Sequence, residues 1–159
     1  MSYSYKMKSL ITGTTYDSKQ DFSWDASDHE DCATENLFLG RIITDVLLGP
    51  DQEELWFLFN DEKKNVRMYH DQDCCEDVHF SEIVGDWKDL IDTPITFFEE
   101  RTQDGSDEAY DSMTWTFYEV RTAKGSATIT WRGESNGYYS EEVDCEYLSA
   151  RLTKQLEAK

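Results

Sequence analysis

Residues 113–139 read MTWTFYEVRTAKGSATITWRGESNGYY, and in them long aromatic side chains alternate with small or charged ones along Met113–Arg121, a pattern that Ala127–Arg132 repeats. A repeat of two is the period of a strand, whose successive side chains point to opposite faces. Ala123, Lys124 and Gly125 make the turn between the two runs. Asn136-Gly137 signals a second turn, because a two-residue type I′ turn needs positive φ at both central positions and Asn-Gly adopts it at little cost. Tyr138–Glu146 reads as the returning strand, so the three runs predict an antiparallel meander.

Upstream, Leu55–Asn60 and Asn65–Tyr69 are two short strand-like runs joined by Asp61, Glu62, Lys63 and Lys64, a hairpin by length and composition. Pro94 precedes another strand at Ile95–Glu100, and the acidic stretch Gln103–Asp111 reads as a loop. Val78–Val84 fits a short helix or an extended piece equally well. Apolar residues are dense from Leu37 to Leu48, and Gly49 and Pro50 end that run. Periodicity does not separate helix from strand there, with a strand slightly preferred. Downstream, Leu148, Leu152 and Leu156 recur at helical spacing, with Lys154 and Lys159 near the C-terminal end, where cations suit the helix dipole. The predicted fold class is therefore α+β, a twisted antiparallel sheet with a C-terminal amphipathic helix over about residues 146–159.

A chain of 159 residues is about the size of one core, so a single domain over 1–159 is expected, with 16–35 as an acidic loop or arm. Only 38% of residues are hydrophobic, but 14% are aromatic, and large rings can close a core in few positions. The 34 acidic residues against 15 basic ones give a formal charge of -19. Such a field disfavours direct nucleic-acid or membrane binding and attracts a basic partner. Met1–Leu10 has no apolar signal region, and Ile42–Leu48 is far too short to cross a bilayer. The four cysteines, Cys32, Cys74, Cys75 and Cys145, are accordingly expected as free thiols in a reducing cytoplasm.

The run Asp71-Gln72-Asp73-Cys74-Cys75-Glu76, then Ile83, Gly85 and Asp89-Leu90-Ile91, and finally Gly133-Glu134-Ser135-Asn136-Gly137-Tyr138-Tyr139-Ser140-Glu141, resembles a family of small proteins of unknown function found largely in bacteriophages. The resemblance covers about residues 37–147. It implies a phage origin, carries no catalytic residue over, and suggests an accessory factor that binds and redirects a host protein in the cytoplasm of an infected bacterium.

His70, Cys74 and Cys75, with His79, Asp71 and Asp73 nearby, are weak candidates for a zinc site. Adjacent cysteines chelate one tetrahedral ion poorly, and only His29, Cys32 and Cys145 are left to complete a set in space. A nucleophilic cysteine is disfavoured by Asp73, Glu76 and Asp77, whose negative charge raises a thiol pKa. Glu99-Glu100 and Glu141-Glu142 are carboxylate pairs of the kind metal-dependent hydrolases use, but in so acidic a chain such pairs are ordinarily solvated surface. Glu134, Ser135, Tyr138 and Tyr139 at the second turn, with Asp104, Asp107 and Glu108, make a candidate partner-binding set. Asn136 and Gly137 are explained by turn geometry alone, and the tyrosines by either binding or cross-strand packing.

The sequence thus predicts a phage-type accessory protein with no catalysis and no cofactor, which binds and modulates a host protein with a basic surface. Acidic clusters on one face would make it a DNA mimic; an even scatter removes the basis for mimicry. The alternative is a metal-dependent or small-ligand-binding enzyme using carboxylates and the His70/Cys74 region, which requires those groups to converge in a deep pocket.

Overall fold

A computed structural model gives the fold for residues 5–18, 27–28, 34–61, 64–106, 111–148 and 157–158. The described residues form an all-β structure of two antiparallel sheets, and their helical pieces are short 3-10 turns at Thr34–Leu37, Pro50–Gln52 and Trp87–Asp89. The first sheet has the order β12 (Glu157–Ala158), β2 (Thr15–Ser18), β1 (Tyr5–Ser9), β4 (Ile43–Leu48), β5 (Glu54–Phe59), β6 (Val66–Tyr69), β11 (Asp144–Leu148) and β3 (Ser27–Asp28). Its two marginal strands have only two residues each, leaving six of ordinary length. The second sheet has the order β7 (Asp77–Val84), β10 (Gly125–Ser135), β9 (Ser112–Thr122) and β8 (Ile95–Asp104).

The main core lies between the sheets: Val46, Leu55, Phe57, Val66 and Met68 from the first meet Phe80, Phe98, Tyr118, Val120, Ile129 and Trp131 from the second. Side chains of the opposite parity on the first sheet are buried too, since Met7, Leu47, Trp56 and Leu148 form a separate cluster. A strand buried on both faces reads as a continuous apolar run instead of an alternating one. That is why Ile42–Leu48 showed no clear period although Ile43–Leu48 is a strand.

Three expected elements are present. β9 and β10 form the hairpin, in register from Gly125↔Thr122 to Ser135↔Ser112. β5 and β6 pair antiparallel as the other predicted hairpin, and Val78–Val84 lies in a strand. The strand after Pro94 runs further than expected, through Glu99 and Glu100 to Asp104.

Two expectations are overturned. The fold is not α+β: Glu146–Leu148, the start of the expected C-terminal helix, lies in β11, and Glu157–Ala158 pairs with β2. Leu148 is buried against Met7, Leu47 and Trp56, so its burial belongs to a strand and not to a helical stripe; residues 149–156 lie outside the described residues. The meander also fails at its third strand, because after Ser135 the chain leaves the second sheet and β11 pairs with β6 in the first. Val143, Cys145 and Tyr147 alternate inward onto the main core, and only the crossing lets them do so. Gly137 has φ +86° but Asn136 does not share the positive φ of a type I′ turn; its Oδ1 instead accepts from Tyr138 N at 3.0 Å. Of the expected acidic arm 16–35, Tyr16–Ser18, Ser27–Asp28 and the turn from Thr34 are described, and the rest lies outside the described residues.

Candidate functional site

The crossing segment 136–143 builds the site. It folds back over β10, where Gly133 is required: a Cβ there would stand 2.8 Å from both Cβ and the carbonyl oxygen of Glu141. Ser135, fully buried, donates its hydroxyl to Glu141 Oε2 at 2.6 Å and accepts from Gly137 N at 3.0 Å. Glu141 is thereby held above the inner face of the second sheet, and its other carboxylate oxygen, Oε1, is buried without a hydrogen-bond partner.

Beneath it, β8 and β9 carry polar side chains where a core would otherwise continue. The register pairs Glu100 with Tyr118, Thr102 with Thr116 and Asp104 with Thr114, all on the side that bears Phe98 and Val120 further along. Of these, Glu100, Thr102, Asp104, Thr114 and Thr116, with Glu141, Glu142 and Val143 as the opposite wall, line a cavity of about 450 Å³. At its inner end Tyr118 presents its hydroxyl to the Glu100 carboxylate and accepts from the Cys145 thiol, 3.6 Å away. Burial, followed by the neighbouring groups, pushes the Tyr118 phenol far up; burial does the same to the Cys145 thiol, partly offset by its bond to Tyr118. Both stay protonated at neutral pH and serve as neutral hydrogen-bonding groups.

On the other side of the crossing segment lies a second acidic recess, lined by Asp71, Gln72, Asp73, Glu76 and Ser140. His70 ties it to the segment: its Nδ1 is 2.7 Å from the Glu142 carbonyl, so that nitrogen carries the hydrogen, while Nε2 faces Glu76 Oε1 at 3.8 Å. Glu76 in turn accepts from the backbone nitrogens of Asp73 at 2.6 Å and Cys74 at 3.0 Å. Asp71 N donates to Asp144 Oδ2 at 3.3 Å, and burial raises the Asp144 pKa despite that bond. Acids from residues 71–77, 100–104 and 141–146 are thus gathered at one pole of the sandwich.

The predicted residues divide accordingly. Asp104 lines the cavity, while Asp107 and Glu108 lie outside the described residues. Glu134 and Ser135 are buried: Ser135 lies under the loop and holds the site's frame, whereas Glu134 points to the other face of β10, in an ion pair with Arg132. Tyr138 is 85% exposed and meets Tyr139 edge-on, ring centroids 5.4 Å apart. Cys74 and Cys75 are exposed and bonded to each other as a disulfide, which corrects the expectation of free thiols there; Cys145 is free. Among the described residues no group of three His, Cys, Asp or Glu side chains could hold a metal ion, and His29 and Cys32 lie outside them. No helix among the described residues is long and apolar enough to cross a membrane.

Sequence reasoning set aside Glu100, Glu141 and Glu142 as ordinary surface and missed Thr102, Thr114 and Thr116. A signal existed: Thr114, Thr116, Tyr118 and Val120 share one face of β9, and on that face polar residues give way to apolar ones. No curated protein and no solved structure matches the chain. The family described as Domain of unknown function (DUF7448) matches residues 36–145, a span that holds both hairpins, the crossing segment and every described residue of the two recesses. The chain belongs to the DUF7448 family, a domain of unknown function.

Proposed function

We propose that this protein is a non-catalytic binding protein whose acidic pole docks a basic surface of a host protein, in the manner of a phage-type accessory factor. One observation carries the reading: three acidic segments far apart in sequence meet around a loop that also exposes Tyr138. An exposed aromatic ringed by polar groups is the usual make-up of a binding hot spot, and the surrounding carboxylates steer a basic partner toward it. The outer face of the second sheet contrasts with this pole, because there Arg121 and Arg101 pair with Glu119 and neutralise it. Acidic groups gathered at a pole, rather than scattered evenly, favour a nucleic-acid-handling host protein, with the carboxylates standing in for phosphates.

The test is a tagged pull-down from bacterial lysate at low and high salt, run beside the variant Asp104→Asn/Glu141→Gln/Glu142→Gln. A single basic protein retained by the wild type, released by salt and lost with the variant supports the reading. Release of that protein by added DNA supports mimicry, and equal retention by both proteins overturns the assignment to this pole.

A further inference from the structure

We infer that the basic partner adds a β-strand along the free edge of β8, with lysine or arginine side chains at alternate positions entering the acidic cavity; this rests on the binding role proposed above and names its mode. β8 is the outermost strand of its sheet and stays in unbroken register with β9 from Phe97 to Asp104. Its first residue is covered, since Gly40 N donates to the Ile95 carbonyl at 2.8 Å and Ile95 N to the Arg41 carbonyl at 3.0 Å. Beyond that point the cover ends: Glu99 to Asp104 are all exposed, and among the described residues no backbone group pairs with their outer edge. The opposite edge is protected differently, for Gln52 Nε2 donates to the Phe80 carbonyl of β7 at 3.3 Å. An uncovered row of regularly spaced N–H and C=O groups is a template for strand addition.

The cavity gives the added strand its side-chain chemistry. Glu100, Thr102 and Asp104 are both edge residues and cavity wall, and a strand's side chains repeat every second residue. Every second side chain of an added strand therefore lies beside these three, facing Glu141 and Glu142. One observation shows a donor to be wanted there. Glu141, in the cavity wall, has its Oε1 buried without a partner. An ammonium or guanidinium group supplies an N–H donor to it and offsets the local charge. A second copy of this chain does not fit, because its own edge would set Glu99, Glu100 and Asp104 against their counterparts in a molecule of charge -19.

The probe is a short labelled peptide alternating lysine and threonine, measured by fluorescence anisotropy against the whole protein. It is compared with the same peptide N-methylated at alternate backbone amides, in both phases, and with spermine as a competitor. Strand addition predicts that one methylated phase binds at least about tenfold more weakly, since it loses several backbone hydrogen bonds while keeping every charge. It also predicts weaker binding to Glu141→Gln, with the thermal melt of that variant confirming its fold. Equal binding by all three peptides, or displacement by spermine at matched charge, overturns strand addition and leaves ion exchange. If that happens while the salt-dependent host protein is still retained, the docking role stands and only its mode falls; if no peptide binds at all, the mode falls whatever the lysate yields.

Discussion

The inner faces of β8 and β9 have two halves of opposite chemistry. In one, Ile95, Phe98, Tyr118 and Val120 are buried, and Phe98 stacks on Phe38 with ring centroids 4.3 Å apart. In the other, Glu100, Thr102, Asp104, Thr114 and Thr116 surround a cavity. The strand pairing runs through both without a shift from Phe97 onward, so the ladder does not need a core beneath every residue. Stability should then reside in the first half and recognition in the second. The largest expected effect tests that division. Phe38 also meets Phe57 edge-on at 5.2 Å, and Phe38→Ala should cost about 3–5 kcal/mol in urea denaturation. Thr102→Ala, in the polar half, should stay within about 0.5 kcal/mol of wild type. Comparable losses in the two variants would abolish the distinction.

The apolar half was the part most legible in the sequence, because its strands bury one face and therefore alternate. Met113–Arg121 and Ala127–Arg132 declared the central hairpin by period alone. Where both faces are buried the period vanishes: Val46 and Leu48 pack toward the second sheet and Leu47 away from it, so a strand there could not be told from a helix. Leu148 misled for a related reason, since a residue buried in a separate cluster on the outer side of a sheet can sit by chance at helical spacing from later leucines. The polar half was legible only in pieces. Asp104 and Tyr138 were named from the sequence, but the convergence of residues 71–77, 100–104 and 141–146 depends on a chain crossing that a local turn signal concealed. Asn136-Gly137 marked the end of β10, but not with the type I′ hairpin expected of it, and gave no sign of which sheet the chain would enter next.

That crossing is the next place to press. Gly133→Ala puts a methyl group 2.8 Å from Glu141 backbone and side-chain atoms, a contact that only displacement of the loop relieves. A loss of about 1–3 kcal/mol is expected from such overpacking, together with weaker binding of the lysine–threonine peptide. A variant as stable as wild type that binds the peptide equally well would mean that the loop position does not shape the cavity.

Cys145 sits at the seam between the halves, its thiol against the Tyr118 hydroxyl, and burial raises its pKa above the ordinary cysteine range. Below about pH 8.5 the thiol is protonated in folded and unfolded chains alike, and its contribution to stability is intact. Above that pH the unfolded chain loses the proton first, so stability falls as pH rises toward the folded value. By pH 9.5 the loss should approach about 1.4 kcal/mol, and Cys145→Ala should remove that part of the alkaline slope. An unchanged slope would mean that the thiol is open to solvent and the seam is not sealed.

Asp144 should give the smallest effect, and it has the opposite position: a half-buried acid on the polar side, facing Asp71 and Glu146 as well as His70, with burial as the largest cause of its raised pKa. A raised carboxylate pKa means that the folded chain holds the proton more tightly than the unfolded one. Stability therefore increases as pH falls through the folded value, and the gain is complete near the ordinary aspartate value of about 3.9. At neutral pH the ionised group is a small liability, discounted by solvent screening, and Asp144→Asn should stabilise by less than about 0.5 kcal/mol. The two proteins should converge as pH falls below the aspartate range, because the wild-type side chain is then neutral as well. A benefit that persisted unchanged to low pH would assign the effect to packing of the amide, and would remove the half-burial of a charged carboxylate as its cause.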